Sequence, residues 1–251
     1  MKRKKRILGI LLPIILLLGG TGCMNEKASE ETIVKHLEDT YGGKFEVETS
    51  KQGNSIFKNM YGDDKVIVHP EGKPEHVFLA GIKRDHDDEF YDTYVLSKWG
   101  DELTRKYKQE VAAIVPGDVD YRVLLYVEDG KYNSSMKNLS AQDYFSKKNQ
   151  DAEVVIKVAV KTAGAPNPAD YYEPVYRLLQ LLEPLGVQSY GVSLGFVDAS
   201  VDPADYIRTS NVNNVPWSNL DAKVYGTIMV DNLANITEPS QIEAYYEPIE
   251  E

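Results

Sequence analysis

The 251-residue chain has one cysteine, Cys23. A single thiol excludes an intramolecular disulfide and any zinc site built from several cysteines. Histidine is scarce too: His36, His69, His76 and His86 are the four, and none follows residue 86. There is no excess of positive charge. Lys plus Arg number 28 against 39 Asp plus Glu, a formal charge of -11. A phosphate backbone selects a basic surface, so no nucleic-acid partner is expected. No apolar run reaches the ~20 residues that span a bilayer comfortably. No P-loop, dinucleotide fingerprint or H-E-x-x-H segment occurs, and no cofactor or metal is expected. What is present is 42% hydrophobic and 27% charged, an ordinary globular mixture for one or two domains.

The first residues speak of location. Lys2 to Arg6 form a positive head, and Ile7 to Leu18 follow as an apolar run broken only by Gly9 and Pro13. Gly20-Thr21-Gly22-Cys23 comes next. A positive head, a short apolar core and small residues make a secretory leader. The small residues running into the cysteine resemble a bacterial lipobox, with Gly20 where a Leu-like residue is usual. That resemblance implies cleavage before Cys23 and diacylation of its sulfur. Two acyl chains hold a protein on a membrane stably, where one does so only marginally. The alternatives are an uncleaved anchor, or a leader cut elsewhere with Cys23 as a spare thiol. Loss of the leader's five cations leaves 23 against 39 acids, a mature charge of -16. Anionic lipid repels such a domain, so Met24 to Glu30 suits a tether.

Periodicity divides the rest. Ile33, Val34 and Leu37 recur at helical spacing within Glu31 to Tyr41, and Gly42-Gly43 ends the pattern. Phe45, Val47 and Thr49 alternate as a strand. Further strands are expected at Val66 to Val68, His76 to Ile82, and Tyr91-Thr93-Val95. Leu103, Tyr107, Val111 and Ile114 make one stripe of an amphipathic helix from Asp101 to Val115. Strands are then expected at Tyr121 to Val127, Val154 to Val160, Tyr190 to Val197 and Tyr225 to Val230. Helices open at Ser140, Asn167-Pro-Ala-Asp-Tyr171 and Asp202-Pro-Ala-Asp-Tyr206, and a last short one follows Thr237-Glu-Pro239. Asn or Asp caps a helix, Pro fits its first turn, and the second Asp favours the dipole's positive end. The repeated pentapeptide reads as shared capping chemistry or as a duplicated strand–loop–helix unit. Glu247 to Glu251 reads as a frayed acidic tail.

The predicted fold class is α+β, with mixed or mainly antiparallel sheets and helices packed on their faces. The predicted parts are a leader at 1–22, a lipidated tether at 23–30, an N-terminal α+β region at 31–116 and a C-terminal one at 117–251. Parallel or mixed pairing stays open.

Candidate chemistry is thin. Gly191-Val192-Ser193-Leu194-Gly195 matches G-x-S-x-G, but Tyr190, Val192, Leu194 and Phe196 alternate through it. The serine is thus mid-strand, with no helix and no histidine after it, which removes the nucleophile-elbow reading. Ser189, Gly191, Ser193 and Gly195 read instead as a small-residue face for close packing. Asp85-His86-Asp87-Asp88-Glu89 fails the calcium-loop pattern, because Phe90 and Leu96 stand where Gly and the bidentate Glu are required. His36 and Asp39 are three apart on a helix and could touch.

Tyrosine is the one excess, at 17 residues. The pairs Tyr171-Tyr172 and Tyr245-Tyr246 offer flat amphipathic area for a sugar or a protein partner, or simply fill half-exposed positions. The whole pattern resembles uncharacterised lipoproteins of Gram-positive bacteria, through the leader and through Tyr41-Gly42-Gly43-Lys44-Phe45-Glu46-Val47. The resemblance implies palmitate on Cys23, an extracytoplasmic place at the cell membrane and no particular activity. Three functions follow as expectations. The first is a non-catalytic module that binds a protein partner at the cell surface. The second is a solute- or glycan-binding lipoprotein. The third is a cell-wall hydrolase working with carboxylates alone.

Overall fold

The computed structural model describes residues 21–51, 64–83, 89–213 and 216–249. Most of the expected leader, and the acidic run from Asp85 to Asp88, lie outside these residues.

Helix α1, Thr21–Tyr41, starts ten residues before the expected Glu31, so the backbone of the expected tether is helical. Its end matches expectation. Gly42 and Gly43 take φ of 74° and 82°, and Gly42 N–H donates to Glu38 O at 2.9 Å. The left-handed backbone that glycine adopts freely satisfies a helix-end carbonyl.

Strands β1 (Phe45–Lys51), β2 (Asp64–Pro70), β3 (Phe78–Ile82) and β4 (Phe90–Asp92) form an antiparallel meander in sequence order. Alternation puts Val66 and Val68 on one face, where Ile33 and Leu37 of α1 cover them with Phe78 and Ala80.

The expected strand through Thr93 and Val95 ends at Asp92. Helix α2, Tyr94–Lys106, begins there instead. Two signals override the three-residue alternation. The Asp92 carboxylate accepts from Tyr94 N–H, and Val95, Trp99 and Leu103 recur every fourth residue and are all buried. Helix α3, Lys108–Ile114, continues past a kink at Tyr107. The ladder runs through it, since Tyr107 N–H bonds Leu103 O and Val111 N–H bonds Tyr107 O.

The second sheet has the order β5 (Asp118–Tyr126), β6 (Glu153–Thr162), β7 (Ser189–Asp198), β8 (Val224–Asp231) and β9 (Tyr246–Pro248). It is mixed: β6 and β7 are parallel and the other neighbours antiparallel. The β6–β7 crossover is α5, Tyr172–Leu182. Between β5 and β6 lies α4, Ala141–Lys147, capped by Ser140 as expected. The expected frayed tail is instead partly strand. Tyr246 pairs with Ile228 and Glu247 with Thr227, because Tyr246 brings a large ring over Gly226.

One face of this sheet carries the main core. Ile156, Val192, Leu194 and Phe196 meet Trp99, Leu103, Val111, Tyr144, Leu178 and Leu182. Thus α2 and α3, expected within 31–116, pack into the core of the sheet that follows them. The segment from Asp198 to Lys223 covers part of the other face. It includes α6 (Ala204–Arg208) and α7 (Ser210–Asn213). Ile207 and Trp217 there bury Ala159 and Val197.

Candidate functional site

A cleft with a volume of about 770 Å³ lies at the seam between the two sheets. The C-terminal part of α1, strand β4 and the turn after β5 bring His36, Tyr41, Phe90, Asp92, Asp129 and Tyr132 to its walls. His36 lies flat on Phe90, ring centres 3.9 Å apart and planes 3° apart. Tyr41 stacks on Tyr94 at 3.9 Å. The walls are therefore aromatic and rigid.

Asp92 sits among these rings. Its Oδ1 accepts from Tyr41 Oη at 2.8 Å and from Tyr94 N–H at 2.9 Å. No described donor bonds Oδ2. Burial raises the Asp92 pKa, and the two bonds only partly offset this. Burial, and then the Asp92 charge, push Tyr41 far above the usual phenol range. Tyr132 is pushed up to about 12 by burial first, then by Asp129 and Asp92. Two carboxylates thus work on one pocket of phenols, and each phenol stays protonated as a donor at neutral pH. Lys137 reaches the rim, donating to Thr40 O at 2.8 Å and lying 5.7 Å from the Tyr41 ring. Carboxylate oxygen framed by aromatic faces suits a cation, which gains from both the charge and the ring quadrupole.

The residues singled out from sequence fall elsewhere. Cys23 is in the first turn of α1. Tyr171 is buried with its ring on Phe196 at 4.8 Å, so it presents no free face. Tyr172, Tyr245 and Tyr246 are half-buried and pack against the same core. The four tyrosines lie together, because α5, the turn from Pro239 to Tyr245 and β9 are neighbours. Their role in the structure is packing.

Ser193 is mid-strand, as its alternation indicates, and its Oγ accepts from Trp217 Nε1 at 2.9 Å. The small face does permit a close approach. A Cβ on Gly195 would stand 2.6 Å from the Trp217 ring. Beside Ser193 in register is Lys157, buried under Tyr206 and Trp217. The pentapeptide repeat sends its tyrosines to opposite faces of the sheet: Tyr171 meets Phe196, and Tyr206 meets Lys157. Both copies cap locally, Asn167 to Ala169 N–H and Asp202 to Ala204 N–H, so shared capping chemistry explains them.

His36 contacts Phe90 and Thr40. His76 Nε2 lies 3.1 Å from Tyr94 O, and burial lowers its pKa. Glu89 pairs with Lys83 at 2.6 Å. Among the described residues no three His, Cys, Asp or Glu side chains are placed to hold a metal. No described helix is long and apolar enough to cross a membrane.

Sequence reasoning missed Asp92 as a site residue. The available signal was an Asp directly before a Thr-Tyr helix start, but its partner Tyr41 lies fifty-one residues earlier.

No family model matches the chain, and no curated protein matches it. A crystal structure of a DUF5037 family protein from Ruminococcus gnavus ATCC 29149 is similar in fold, with a TM-score of 0.50 and 12% identity. The match covers 80% of this chain and 89% of that one. At that identity the likeness speaks to the fold alone.

Proposed function

We propose that the chain is an extracytoplasmic lipoprotein, anchored to the cell membrane through lipid on Cys23, that binds a basic segment of a protein partner in the cleft at the seam. The observation that carries this reading is Asp92. A carboxylate held by Tyr41 and Tyr94, with Oδ2 unbonded among aromatic walls, is a preformed seat for a Lys or Arg side chain. Preorganisation matters because a rigid site loses little entropy on binding. The mature charge of -16 favours the same partner by steering a cation toward the surface.

The test uses full-length protein in membranes and fluorescent peptides rich in Lys and Tyr, against matched peptides rich in Glu or Gln. The basic peptide should bind, and Asp92→Asn should weaken it roughly tenfold or more, because a desolvated charge partner is lost. The same variant should raise the melting temperature at pH 7. Burial raises the Asp92 pKa in the folded state, so the group costs stability progressively as pH rises from the ordinary carboxylate range through that raised value and in full above it, and the amide removes this cost while keeping both hydrogen bonds. Cys23→Ala should move the chain out of the membrane fraction or leave the leader uncut. Equal affinity for the three peptides, or unchanged binding by Asp92→Asn, overturns the cleft reading. Unchanged fractionation of Cys23→Ala overturns the anchor.

A further inference from the structure

A second cavity of about 200 Å³ opens beside the cleft, between α2 and β5, and shares Thr93, Asp129 and Tyr132 with it. Its wall holds Arg122 of β5, only 4% exposed. This guanidinium is under-satisfied. One nitrogen donates to Glu75 O at 2.8 Å, another reaches Ser97 Oγ at a long 3.5 Å, and Nε has no partner. Arg122 makes no ion pair with a described residue. The charges of Asp101 and Glu75 act on it from a distance, but the Asp101 carboxylate bonds Arg105 and Glu75 is exposed. Buried cations are ordinarily paired, because removing a charge from water is costly. Here no described carboxylate is in direct contact with the guanidinium.

Asn211 of α7 lines the same cavity. Its Nδ2 donates to Val77 O at 2.6 Å, while its buried Oδ1 has no partner. The wall therefore holds a cation whose Nε is unpartnered and an amide whose oxygen is unpartnered. At the junction with the cleft stands Asp129, exposed and negative. A bare anion would gain at Arg122 and lose at Asp129. A molecule with both charges gains at both.

We infer that this cavity binds a free amino acid, its carboxylate on Arg122 and its ammonium toward Asp129 and the Asn211 Oδ1. A 150 Å³ cavity holds benzene, so 200 Å³ admits roughly eight heavy atoms, the size of a small or mid-sized amino acid. Arg suits the carboxylate because its planar fork matches two oxygens. The inference is independent of the peptide reading of the cleft, which rests on Asp92.

The experiment is calorimetric titration of the full-length protein with glycine, alanine, valine, leucine, aspartate and lysine. Two blocked probes, N-acetyl-valine and valinamide, and one bare anion, sodium acetate, accompany them. At least one free amino acid should bind, while its N-acetyl and amide forms bind at least roughly tenfold more weakly. Asp129→Asn, on an exposed turn, should weaken the free amino acid by a similar factor and leave acetate binding equal or stronger, because a bare anion loses a repulsive neighbour. Arg122→Gln should abolish binding. Arg122 also ties β5 to Glu75, so Asp129→Asn carries the test if the Arg122 variant does not fold. No heat with any amino acid at 10 mM, equal binding of blocked and free forms, or acetate as strong as the amino acids would each overturn the inference. Asp92→Asn should leave amino-acid binding within twofold, which separates this site from the basic-peptide seat.

Discussion

Lys157 shows what a single residue can hide. It lies on a strand whose alternation places it opposite the core, a position that reads as solvated in any sequence. In the structure it is 5% exposed. Its Nζ donates to Tyr206 Oη at 2.9 Å and lies 4.3 Å and 4.7 Å from the Tyr206 and Trp217 rings. The cover comes from Asp198 to Lys223, some fifty residues later, so no local pattern announces it. Asp92 and Arg122 were illegible for the same reason, while Ser193 was legible because strand alternation is local. Burial lowers the Lys157 pKa to about 8. The unfolded chain keeps that proton to a pH near 10.5. Between these values the unfolded state binds more protons, so stability rises with pH across roughly 8 to 10, by on the order of 3 kcal/mol at most. Above 10 the trend reverses, because Tyr121, Tyr132 and Tyr206 have pKa values of about 12 in the folded state. Their protons stay on in the native state and leave in the unfolded one. Urea unfolding at pH 7.5, 8.5 and 9.5 should show the rise in the unaltered protein and a flat line in Lys157→Met. The same slope in both would mean that Lys157 is not its source.

At the scale of elements, α2 does work that its periodicity alone does not reveal. It lies along the free edge of β5, the kind of edge that pairs with other chains when left open. Val123 N–H donates to Thr104 Oγ1 at 2.9 Å, and Tyr121 Oη bonds Thr104 O. Gly100 makes the approach possible: a Cβ there would stand 2.8 Å from Val123 O. Ala is favoured over Gly inside a helix by about 1 kcal/mol, and forcing atoms into a packed contact costs typically 1–3 kcal/mol. The obstacle is backbone and cannot rotate away, so the clash outweighs the propensity. Gly100→Ala should destabilise the protein by about 1–2 kcal/mol in urea. Gly164→Ala, where nothing lies within 4 Å, should change stability by less than about 0.5 kcal/mol. A Gly100→Ala variant as stable as the parent would show that α2 can slide along β5. Most elements were legible because each rests on a short period: α1, the first three strands, α4, α5 and β6 to β8. Three departures are instructive. The polar stretch 24–30, read as a tether, is helical within α1. Three alternating residues at Tyr91 to Val95 mimicked a strand across a helix start, and the charged end of the chain concealed a strand held by Tyr246.

The whole molecule is two sheets joined through α2, and the candidate site lies on that join. Tyr94 packs its ring on Phe78 and Phe45 of the first sheet, while Val95 and Trp99, one and five residues on, enter the core of the second. Arg208 holds Glu48 with two bonds, at 2.7 Å and 2.9 Å, and Pro74 O at 2.8 Å. Ser97 and Asn211 both donate to Val77 O. A boundary at 116 could be read from composition and turns, but not which sheet the α2 stripe would face, since periodicity gives a face and no partner. The first sheet and α1 together bury six side chains in their own cluster, a small core for a unit that must stand alone. Its stability therefore depends on the seam, and the two halves should unfold as one. Both tryptophans, Trp99 and Trp217, pack on the second sheet, so their fluorescence reports that half, whereas far-ultraviolet circular dichroism reports both. The two signals should trace the same urea transition. Arg208→Ala should shift both midpoints together, by a modest amount because the pair is partly exposed. A dichroism loss that precedes the fluorescence change would mean that the first sheet melts alone. The cleft would then open before the fold is lost, and ligand binding at the seam would be coupled to that opening.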